Sequence, residues 1–306
     1  MFRPFCAAAG LLPALFLPVL LGVVAAPPAL AGEALDRIVE RKTIRFGYRV
    51  DAPPFASRVD GRPQGFTVAL CGRIAGAILL TSKLPELTAT FTEIDTDERF
   101  EAVADGKIDV LCGATTATLA RREMVSFTIP TFSTGVGAIV SADAPAALAE
   151  AVLDAEPSSL APEDFRAGLA GRRLGARANT TAETFLQEQL IDKGTKIRLE
   201  TFDDHAAGLD AVANGKIEAY FADQAILLAQ RGERSDAGKL KVSPATFSHE
   251  PYALALARDD EELRLVMDRA LSHLYRTGAI FDVYSRFFGR PSAEAVFFYR
   301  AVSLPE

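Results

Sequence analysis

The chain has 306 residues, of which 49% are hydrophobic and 24% are charged, values that are ordinary for a globular protein. This length suits two domains of the usual size, or one domain with large insertions. The net charge of −7 and the lack of any basic run or basic aromatic patch argue against a nucleic-acid partner. An anionic small ligand stays open, because the local field of a site can oppose the overall charge.

The first 31 residues have the features of a secretory signal peptide. Arg3 supplies a short basic segment, residues 11–24 (LLPALFLPVLLGVV) are apolar, and Ala29-Leu30-Ala31 is a small-residue cleavage site. An uncleaved membrane anchor is the alternative, but the apolar run is short for a span and ends at a processing site. We therefore expect cleavage near Ala31, export to the periplasm and a soluble mature protein.

Export changes the meaning of the cysteines. Cys6 leaves with the signal peptide, so the mature chain keeps Cys71 and Cys112. In an oxidising compartment these two can form a disulfide, or they can be two buried thiols, and the sequence leaves both open. A lipobox cysteine and a C-x-x-C pair are absent from the sequence, so we expect no lipid tether, no metal and no cofactor.

In the first half of the mature chain, apolar patterning predicts strands that alternate with helices. The strands cover residues 43–48, 88–94 and 108–112, and the helices cover 65–80 and 96–106. Thr96 or Asp97 is expected to cap the second helix, which ends at Gly106. Strands that alternate with helices pair in parallel and are buried on both faces, which indicates an α/β fold.

The second half repeats this order of elements. Predicted strands cover residues 134–141, 172–177, 196–200 and 217–221, and predicted helices cover 181–190 and 203–215. DAVANGKIEAYF (210–221) mirrors FEAVADGKIDVLC (100–112), so we expect two similar α/β units. An Ala/Pro-rich acidic stretch at 141–164 is expected to be a surface excursion. An amphipathic helix over 259–278, capped by Gly278, follows, and its apolar stripe belongs to the core.

Candidate ligand-binding residues follow the predicted strands. Ligands of open α/β sheets bind beyond the carboxyl ends of the strands. The positions there are 49–55, 96–99, 114–121, 179–183, 204–205 and 223. Arginines and threonines recur among them, a set that suits carboxylate groups.

Three segments, residues 44–71, 98–130 and 220–230, resemble the family 3 extracellular solute-binding proteins, which capture amino acids for bacterial ABC importers. They include the T-x-x-R of Thr118 to Arg121 and the pre-helical Asp223. The likeness runs from about residue 43 to residue 289, and Tyr48-Arg49, CGATT (112–116) and Asp204-His205 are most similar to the glutamate/aspartate binders.

The resemblance implies a two-lobed type II periplasmic binding protein fold. Each lobe would be a mainly parallel sheet flanked by helices, and two crossovers would form a hinge. Lobe 1 is expected to comprise residues 32–133 and 252–306, including a C-terminal extension, and lobe 2 residues 134–251. The protein would be a monomer that delivers its ligand to a membrane permease.

The resemblance also assigns a role to each candidate residue. By this resemblance, the residues that bind the ligand's α-carboxylate are Arg121, Thr116, Thr180 and Thr181. Those that bind its α-ammonium are Asp223, Thr115 and the carbonyl of Ala114. The residues that bind the carboxylate of the ligand's side chain are Arg49, Thr96, Arg99 and His205. Ala114 departs from the subgroup, where serine is frequent.

Charge favours an acidic ligand. Arg49, Arg99 and Arg121 against Asp223 leave the site at +2 when His205 is neutral, whereas glutamate and aspartate carry −1. A neutral amino acid would leave a desolvated arginine unpaired, at a cost of about 2–5 kcal/mol. The sequence does not separate glutamate from aspartate.

Each assignment has a plainer alternative. Arg99 could pair with Glu98 or Asp105 on its helix, Arg49 could be solvated, and His205 and Asp223 could serve only as helix starts. Two other functions use this fold: a dehydratase acting on an amino-acid precursor, and a ligand sensor for a membrane receptor. A dehydratase needs a positioned acid or base, and His205 is the histidine that falls near the predicted cleft. We expect binding without catalysis.

Overall fold

The computed structural model describes residues 33–155 and 162–306, which form both helices and strands. The predicted signal peptide, residues 1–31, lies outside this part. The helices are α1 (Glu33–Arg41), α2 (Phe66–Thr81), α3 (Arg99–Ala104), α4 (Ala146–Leu153), α5 (Glu163–Leu169), α6 (Thr181–Leu186), α7 (His205–Ala213), α8 (Gln224–Gly232), α9 (Glu261–Thr277), α10 (Ile280–Phe288) and α11 (Ala293–Val302). The strands are β1 (Thr43–Tyr48), β2 (Asp51–Ala52), β3 (Ala56–Val59), β4 (Arg62–Gln64), β5 (Thr88–Glu93), β6 (Val110–Leu111), β7 (Val125–Phe127), β8 (Phe132–Thr134), β9 (Val136–Ser141), β10 (Arg173–Arg177), β11 (Arg198–Phe202), β12 (Ala219–Asp223), β13 (Leu240–Val242), β14 (Glu250–Tyr252) and β15 (Ala255–Ala257).

The first five-stranded sheet has the order β5-β1-β6-β15-β7. Strand β1 pairs in parallel with β5 and β6, and β15 pairs antiparallel with β6 and β7. Strand β15 returns to this sheet after more than a hundred intervening residues, so the sheet combines early and late parts of the chain. Phe46 of β1 packs in one core with Ile74 of α2 and Leu271 of α9.

The second sheet has the order β11-β10-β12-β9-β13. Strand β10 pairs in parallel with β11 and β12, whereas β9 pairs antiparallel with β12 and β13. Leu174 and Phe221 pack against Leu148 of α4 and Phe165 of α5. The fold is thus α/β with two sheet-containing lobes, and parallel strands form one side of each sheet.

The two matching sequence segments form the same local structure. Gly106 follows α3 and Gly215 follows α7, with φ of 65° and 68°, a left-handed conformation that glycine adopts without strain. The acidic residue that follows accepts a 2.8 Å hydrogen bond from the backbone of the neighbouring strand: Asp109 from Arg45, and Glu218 from Arg173. The repeat therefore builds one turn twice, once in each sheet.

Two sequence predictions are wrong in detail. Helix α3 begins at Arg99, and neither Thr96 nor Asp97 caps it, because both side chains contact the second lobe. The hydroxyl of Thr96 accepts a hydrogen bond from Arg177, and Oδ1 of Asp97 accepts one from Asn179 Nδ2 at 2.7 Å. The Ala/Pro-rich stretch is not only a surface excursion in its described part, because α4 buries Leu148 and Val152 in the core of the second sheet.

A two-stranded antiparallel sheet, β8 with β14, connects the two larger sheets, and it pairs Phe132 with Tyr252 and Thr134 with Glu250. The C-terminal extension packs against this connection. Tyr299 of α11 is buried and donates to the carbonyl of Thr131 at 3.1 Å. Helix α11 thus supports the segment that leads into the connection.

Cys71 of α2 and Cys112, just after β6, are joined by a disulfide with Cα atoms 6.4 Å apart. Both residues are fully buried. The bond ties α2 to the loop that carries Ala114, Thr115 and Thr116.

Candidate functional site

Nine of the eleven predicted ligand residues line one small cavity of about 20 Å³. The nine are Arg49, Arg99, Ala114, Thr116, Arg121, Thr180, Thr181, His205 and Asp223. Ala182 and Ala222 complete the lining. A volume of this size holds about one water molecule.

The first sheet contributes side chains from the carboxyl ends of its parallel strands. Arg49 follows β1, and Ala114 and Thr116 follow β6. Arg99 begins α3, and Arg121 begins a short 3-10 turn. These residues lie beyond the carboxyl ends of the parallel strands, which is where α/β sheets generally bind their ligands.

The second sheet contributes Thr180, Thr181, His205 and Asp223. Thr180 caps α6: its hydroxyl accepts from the backbone N–H of Glu183 and donates to the carbonyl of Arg177 at 2.7 Å. His205 begins α7 and Asp223 ends β12. Residues far apart in the chain therefore meet because both sheets turn their strand ends toward the same cavity.

Two predicted residues, Thr96 and Thr115, lie outside this lining. Thr115 is buried, and its carbonyl accepts from the backbone N–H of Ala253 at 3.0 Å. Thr96 lines an adjoining cavity of about 630 Å³ that also touches Arg99 and Arg121. Its carbonyl accepts from Arg99, so Thr96 contacts the site's arginines rather than the small cavity.

Sequence reasoning missed a fourth arginine, Arg177. Its Nε lies 2.6 Å from Oδ2 of Asp51, and Arg49 Nε lies 3.3 Å from Oδ1 of the same carboxylate. These pairs are close but not aligned as N–H···O hydrogen bonds, so the attraction is mainly electrostatic. Arg177 is the last residue of β10, and this place at a strand end is the signal that could have revealed it.

The crowded cations perturb one another. Burial first, and the charges of Arg121, Arg49 and Arg177 second, lower the pKa of Arg99 to about 9. Burial also lowers the pKa of Arg121, while the carboxylates of Glu250 and Asp223 oppose that shift. The guanidinium groups stay charged near neutral pH, and an added carboxylate would relieve their repulsion.

Sequence reasoning also missed Glu250, which is 4% exposed. Its Oε2 accepts from the hydroxyl of Thr116 at 2.6 Å and from that of Thr181 at 2.7 Å, and its Oε1 accepts from Ser248 at 3.2 Å. Glu250 and Tyr252 are two residues apart in β14, so both side chains face the same side. A strand of three residues is too short for that alternation to have singled out Glu250 in the sequence.

Asp223 lies beside Glu250 and Tyr252. Part of the residue is exposed, but its Oδ1 is enclosed and has no hydrogen-bond partner among the described residues. Burial raises the pKa of Asp223 well above its usual range, and the neighbouring Glu250 carboxylate raises it further. The hydroxyl of Tyr252 is also enclosed without an aligned partner in this part of the chain.

His205 is a neutral group in this site. Burial, and then the charge of Arg49, lower its pKa to about 3. Its Nδ1 lies 3.0 Å from the hydroxyl of Tyr220, and its Nε2 has no partner within residues 33–155 and 162–306. A neutral imidazole offers one donor and one acceptor, so His205 can hydrogen-bond a polar ligand without adding charge.

The charges of the site can now be counted. Its basic residues are Arg49, Arg99, Arg121 and Arg177, and its acidic residues are Asp51, Asp223 and Glu250. With all seven ionised, four positive and three negative charges leave +1, one unit below the value that the sequence predicts. Within the described ranges, no group of histidine, cysteine and acidic residues is arranged to hold a metal ion. This mixture of fixed charges and unpaired polar atoms can bind a small molecule that carries both carboxylate and ammonium groups.

Two α/β lobes that meet at a polar cavity define a type II periplasmic binding protein fold. Residues 44–290 match the bacterial extracellular solute-binding proteins, family 3, and the chain belongs to this family. Helices long and apolar enough to cross a membrane are absent from the described residues.

Known proteins agree with this assignment. The L-glutamate/L-aspartate-binding protein of Pseudomonas aeruginosa is 24% identical over 284 residues, which cover 91% of this chain and 88% of the relative. The structure of an ancestral arginine-binding protein bound to arginine has a TM-score of 0.67 at 26% identity and covers 81% of this chain and 99% of its own. An ancestral amino-acid-binding protein, a precursor of cyclohexadienyl dehydratase, has a TM-score of 0.68 at 23% identity, with coverages of 83% and 98%, a likeness that shows the fold alone.

Proposed function

We propose that this protein binds an acidic α-amino acid, glutamate or aspartate, in the periplasm and delivers it to the permease of an ABC importer. The observation that carries this proposal is the cluster of four arginines, which outnumbers the site's carboxylates by one. The name of the Pseudomonas aeruginosa relative supports the same ligand class. Cleavage of residues 1–31 and a monomeric state that binds no nucleic acid belong to the same proposal.

Each end of the ligand has a matching set of groups. Arg121 pairs with the α-carboxylate, because a planar guanidinium matches a carboxylate with two parallel hydrogen bonds. Asp223 and the carbonyl of Ala114 accept from the α-ammonium. Arg49 and Arg99 hold the side-chain carboxylate, and the remaining predicted residues, Thr96, Thr115, Thr116, Thr180, Thr181 and His205, shape the site or complete its hydrogen bonds.

Net charge selects among amino acids. Glutamate brings the site from +1 to zero, glutamine leaves it at +1, and arginine raises it to +2. An unpaired buried charge costs about 2–5 kcal/mol, which is roughly 30-fold to several thousand-fold in affinity. Relatives of this fold bind ligands of different charge, so the balance of this chain's own residues decides the ligand class.

Ligand entry requires the two lobes to separate. The cavity holds about one water molecule, and contacts across it involve both lobes, including the 2.9 Å bond from Arg99 Nη2 to the carbonyl of Asn179. The β8–β14 connection is the proposed hinge, at residues 131–135 and 251–253. Sheet membership supports lobe 1 as residues 32–133 and 252–306, and lobe 2 as residues 134–251.

We infer binding without catalysis. A dehydratase needs an acid or base that exchanges protons near neutral pH. His205, the histidine of the cavity lining, has its pKa lowered to about 3, so it does not supply an imidazolium acid under those conditions. Asp223, the cavity carboxyl whose pKa is raised, is assigned to the ligand's α-ammonium, so we propose it as a binding partner and not as a catalytic acid or base.

Calorimetry on the exported, ligand-stripped protein with glutamate, aspartate, glutamine and arginine tests this proposal. We expect micromolar or tighter binding of an acidic amino acid, with a loss of at least about 30-fold in Arg121→Ala. Arg122→Ala is the matched control, because Arg122 is adjacent but exposed, and it should bind like the wild type. Preference for glutamine or arginine would overturn the acidic ligand.

A further inference from the structure

We infer that Glu250 makes the site selective for the ligand's α-ammonium group. It does so by accepting the hydrogen bonds that the hydroxyls of Thr116 and Thr181 can donate, and by placing a second carboxylate beside Asp223. This inference deepens the proposed function and rests on its premise that the ligand is an α-amino acid. It assigns Glu250 a specificity role and gives two threonines a role different from the one that the resemblance implies.

The hydrogen bonds to Glu250 decide whether the hydroxyls of Thr116 and Thr181 can donate to a ligand or accept from it. A threonine hydroxyl has one proton to donate and two lone pairs to accept. The hydroxyls of Thr116 and Thr181 both donate to Oε2 of Glu250, at 2.6 Å and 2.7 Å. Neither proton then remains for a ligand carboxylate, and both oxygens turn lone pairs outward. The two hydroxyls are therefore acceptors for N–H groups.

Glu250 is held in place from three directions. Its backbone pairs with Thr134 in the β8–β14 connection, and its Oε1 accepts from Ser248 at 3.2 Å. Thr116 follows β6 of the first sheet, whereas Thr181 begins α6 beside the second sheet. A single buried oxygen thus orients hydroxyls from both lobes.

Asp223 supplies the second negative charge. Its Oδ1 is enclosed and has no hydrogen-bond partner in the described part of the chain. An ammonium group has three N–H donors, and Asp223 Oδ1 with the two threonine oxygens offers three acceptors. The same ammonium relieves the repulsion between the carboxylates of Asp223 and Glu250.

The α-carboxylate is left to Arg121. One of its guanidinium N–H groups donates to the carbonyl of Thr116 at 2.8 Å, and the group has further donors available. Because the carboxylate and ammonium partners are separate, removing the ammonium from the ligand should leave the carboxylate contacts intact. A ligand without the ammonium would place a methylene group against two carboxylates.

This arrangement predicts strong discrimination between glutamate and its des-amino analogue glutarate. Sites built to hydrogen-bond a polar group reject analogues that lack it by about 10⁴ or more. A site that recognised carboxylates alone would bind glutarate as tightly as glutamate.

Calorimetry of Glu250→Gln with glutamate and glutarate tests the inference. Glutamine keeps the shape and removes the charge, so glutamate should bind about 30-fold or more weakly, while glutarate binding stays equal or tightens. Ser248→Ala is the matched control, because it removes the bond to Oε1 but keeps the charge, and it should retain the wild-type ratio. An equal loss for both ligands, or no change in either, would overturn the specificity role.

A second variant covers the case in which Glu250→Gln does not fold. If the Thr116 hydroxyl accepts a hydrogen bond from the ammonium, Thr116→Val should weaken the binding of glutamate but not the binding of glutarate. An equal loss for both ligands would show that the hydroxyl serves the carboxylate, and that result would contradict the inference.

Failure of this inference and failure of the proposed ligand class give different results. If the wild type prefers glutamine, the same comparison is made with glutamine and its des-amino counterpart, because Glu250 acts on the α-ammonium. The acidic ligand is then wrong and the role of Glu250 is still tested. If the wild type binds glutarate as well as glutamate, the role of Glu250 is wrong and the acidic ligand stands. If no α-amino acid binds, both are overturned.

Discussion

Replacing Asp223 by asparagine should stabilise the ligand-free protein while abolishing tight binding. The pKa of Asp223 lies well above the ordinary value of 3.8, because of burial and then the Glu250 charge. The folded state therefore holds this proton more tightly than the unfolded state does. The resulting cost is absent below pH 3.8 and grows as the pH rises toward the folded-state pKa.

The sign of the effect follows from the direction of the pKa shift. A raised pKa makes the ionised carboxylate destabilising above pH 3.8, so Asp223→Asn should have a larger free energy of unfolding than the wild type at pH 7. The gain should shrink toward zero near pH 4. A buried carboxyl that destabilises the fold can be retained because it contacts the ligand. Such a trade-off between stability and function is expected at a functional site.

Urea unfolding of wild type and Asp223→Asn, at pH 7 and pH 4 without ligand, measures this difference. Calorimetry with glutamate measures the binding loss, which we expect to be about 30-fold or more because the ammonium loses its charged partner. A variant that is less stable than the wild type at pH 7, or a stability gain that does not depend on pH, would refute the reasoning.

Three further predictions come from the same site and its support. Ligand binding should release protons in mildly acidic buffer, because an arriving ammonium favours ionised Asp223, which faces Glu250, Tyr252, Arg49 and Arg121. Calorimetric binding enthalpies that are equal in phosphate and in imidazole, after correction for dilution, would contradict this. Arg177→Met should weaken glutamate binding and reduce the ratio of glutamate affinity to glutamine affinity, because the site charge falls from +1 to zero. Exposed Arg122→Met is the control, and an unchanged ratio in Arg177→Met would argue against a role for Arg177. Replacing Cys71 and Cys112 by alanine should lower the free energy of unfolding by about 2–4 kcal/mol, since the bond closes a loop of 41 residues, and urea unfolding that shows a loss below about 1 kcal/mol would be inconsistent with that estimate.

Elements with strong periodic patterns could be predicted from the sequence. Strand β1 lies at the predicted residues 43–48, and α9 ends at Thr277 with Gly278 as its cap, whose φ of 79° explains the glycine. The repeated helix-glycine-strand segment predicted two similar units. The structure agrees, since the acidic side chain of each copy accepts a hydrogen bond from the neighbouring strand. These features depend on local sequence, which is why they could be recovered.

Features that depend on contacts between the lobes could not be predicted in this way. Thr96 follows a strand and precedes a helix, so it has the pattern of a cap, but its hydroxyl contacts Arg177 from the other lobe. Arg177 ends a predicted strand, which is a usable signal, but its ion pair with Asp51 depends on tertiary contacts that the sequence does not show. Glu250 lies in a three-residue strand, too short for alternation to single it out.

The candidate ligand residues lie in segments that follow predicted strands, and the resemblance to the family selected the individual residues within those segments. Their hydrogen-bond roles were harder to predict. Thr116 and Thr181 were expected to donate to a ligand carboxylate, whereas in the structure both donate to Glu250. Residue type and position indicate which side chains meet, but the direction of each hydrogen bond depends on a partner more than sixty residues away.

The affinity ratio of glutamate to glutamine for the wild-type protein tests the central claim most directly. Both ligands share the α-carboxylate and α-ammonium and differ only in the charge of the side chain. An arginine-rich site with a net charge of +1 predicts glutamate binding at least about 30-fold tighter. Equal affinities, or tighter binding of glutamine, would contradict the claim that this site is built for an acidic amino acid.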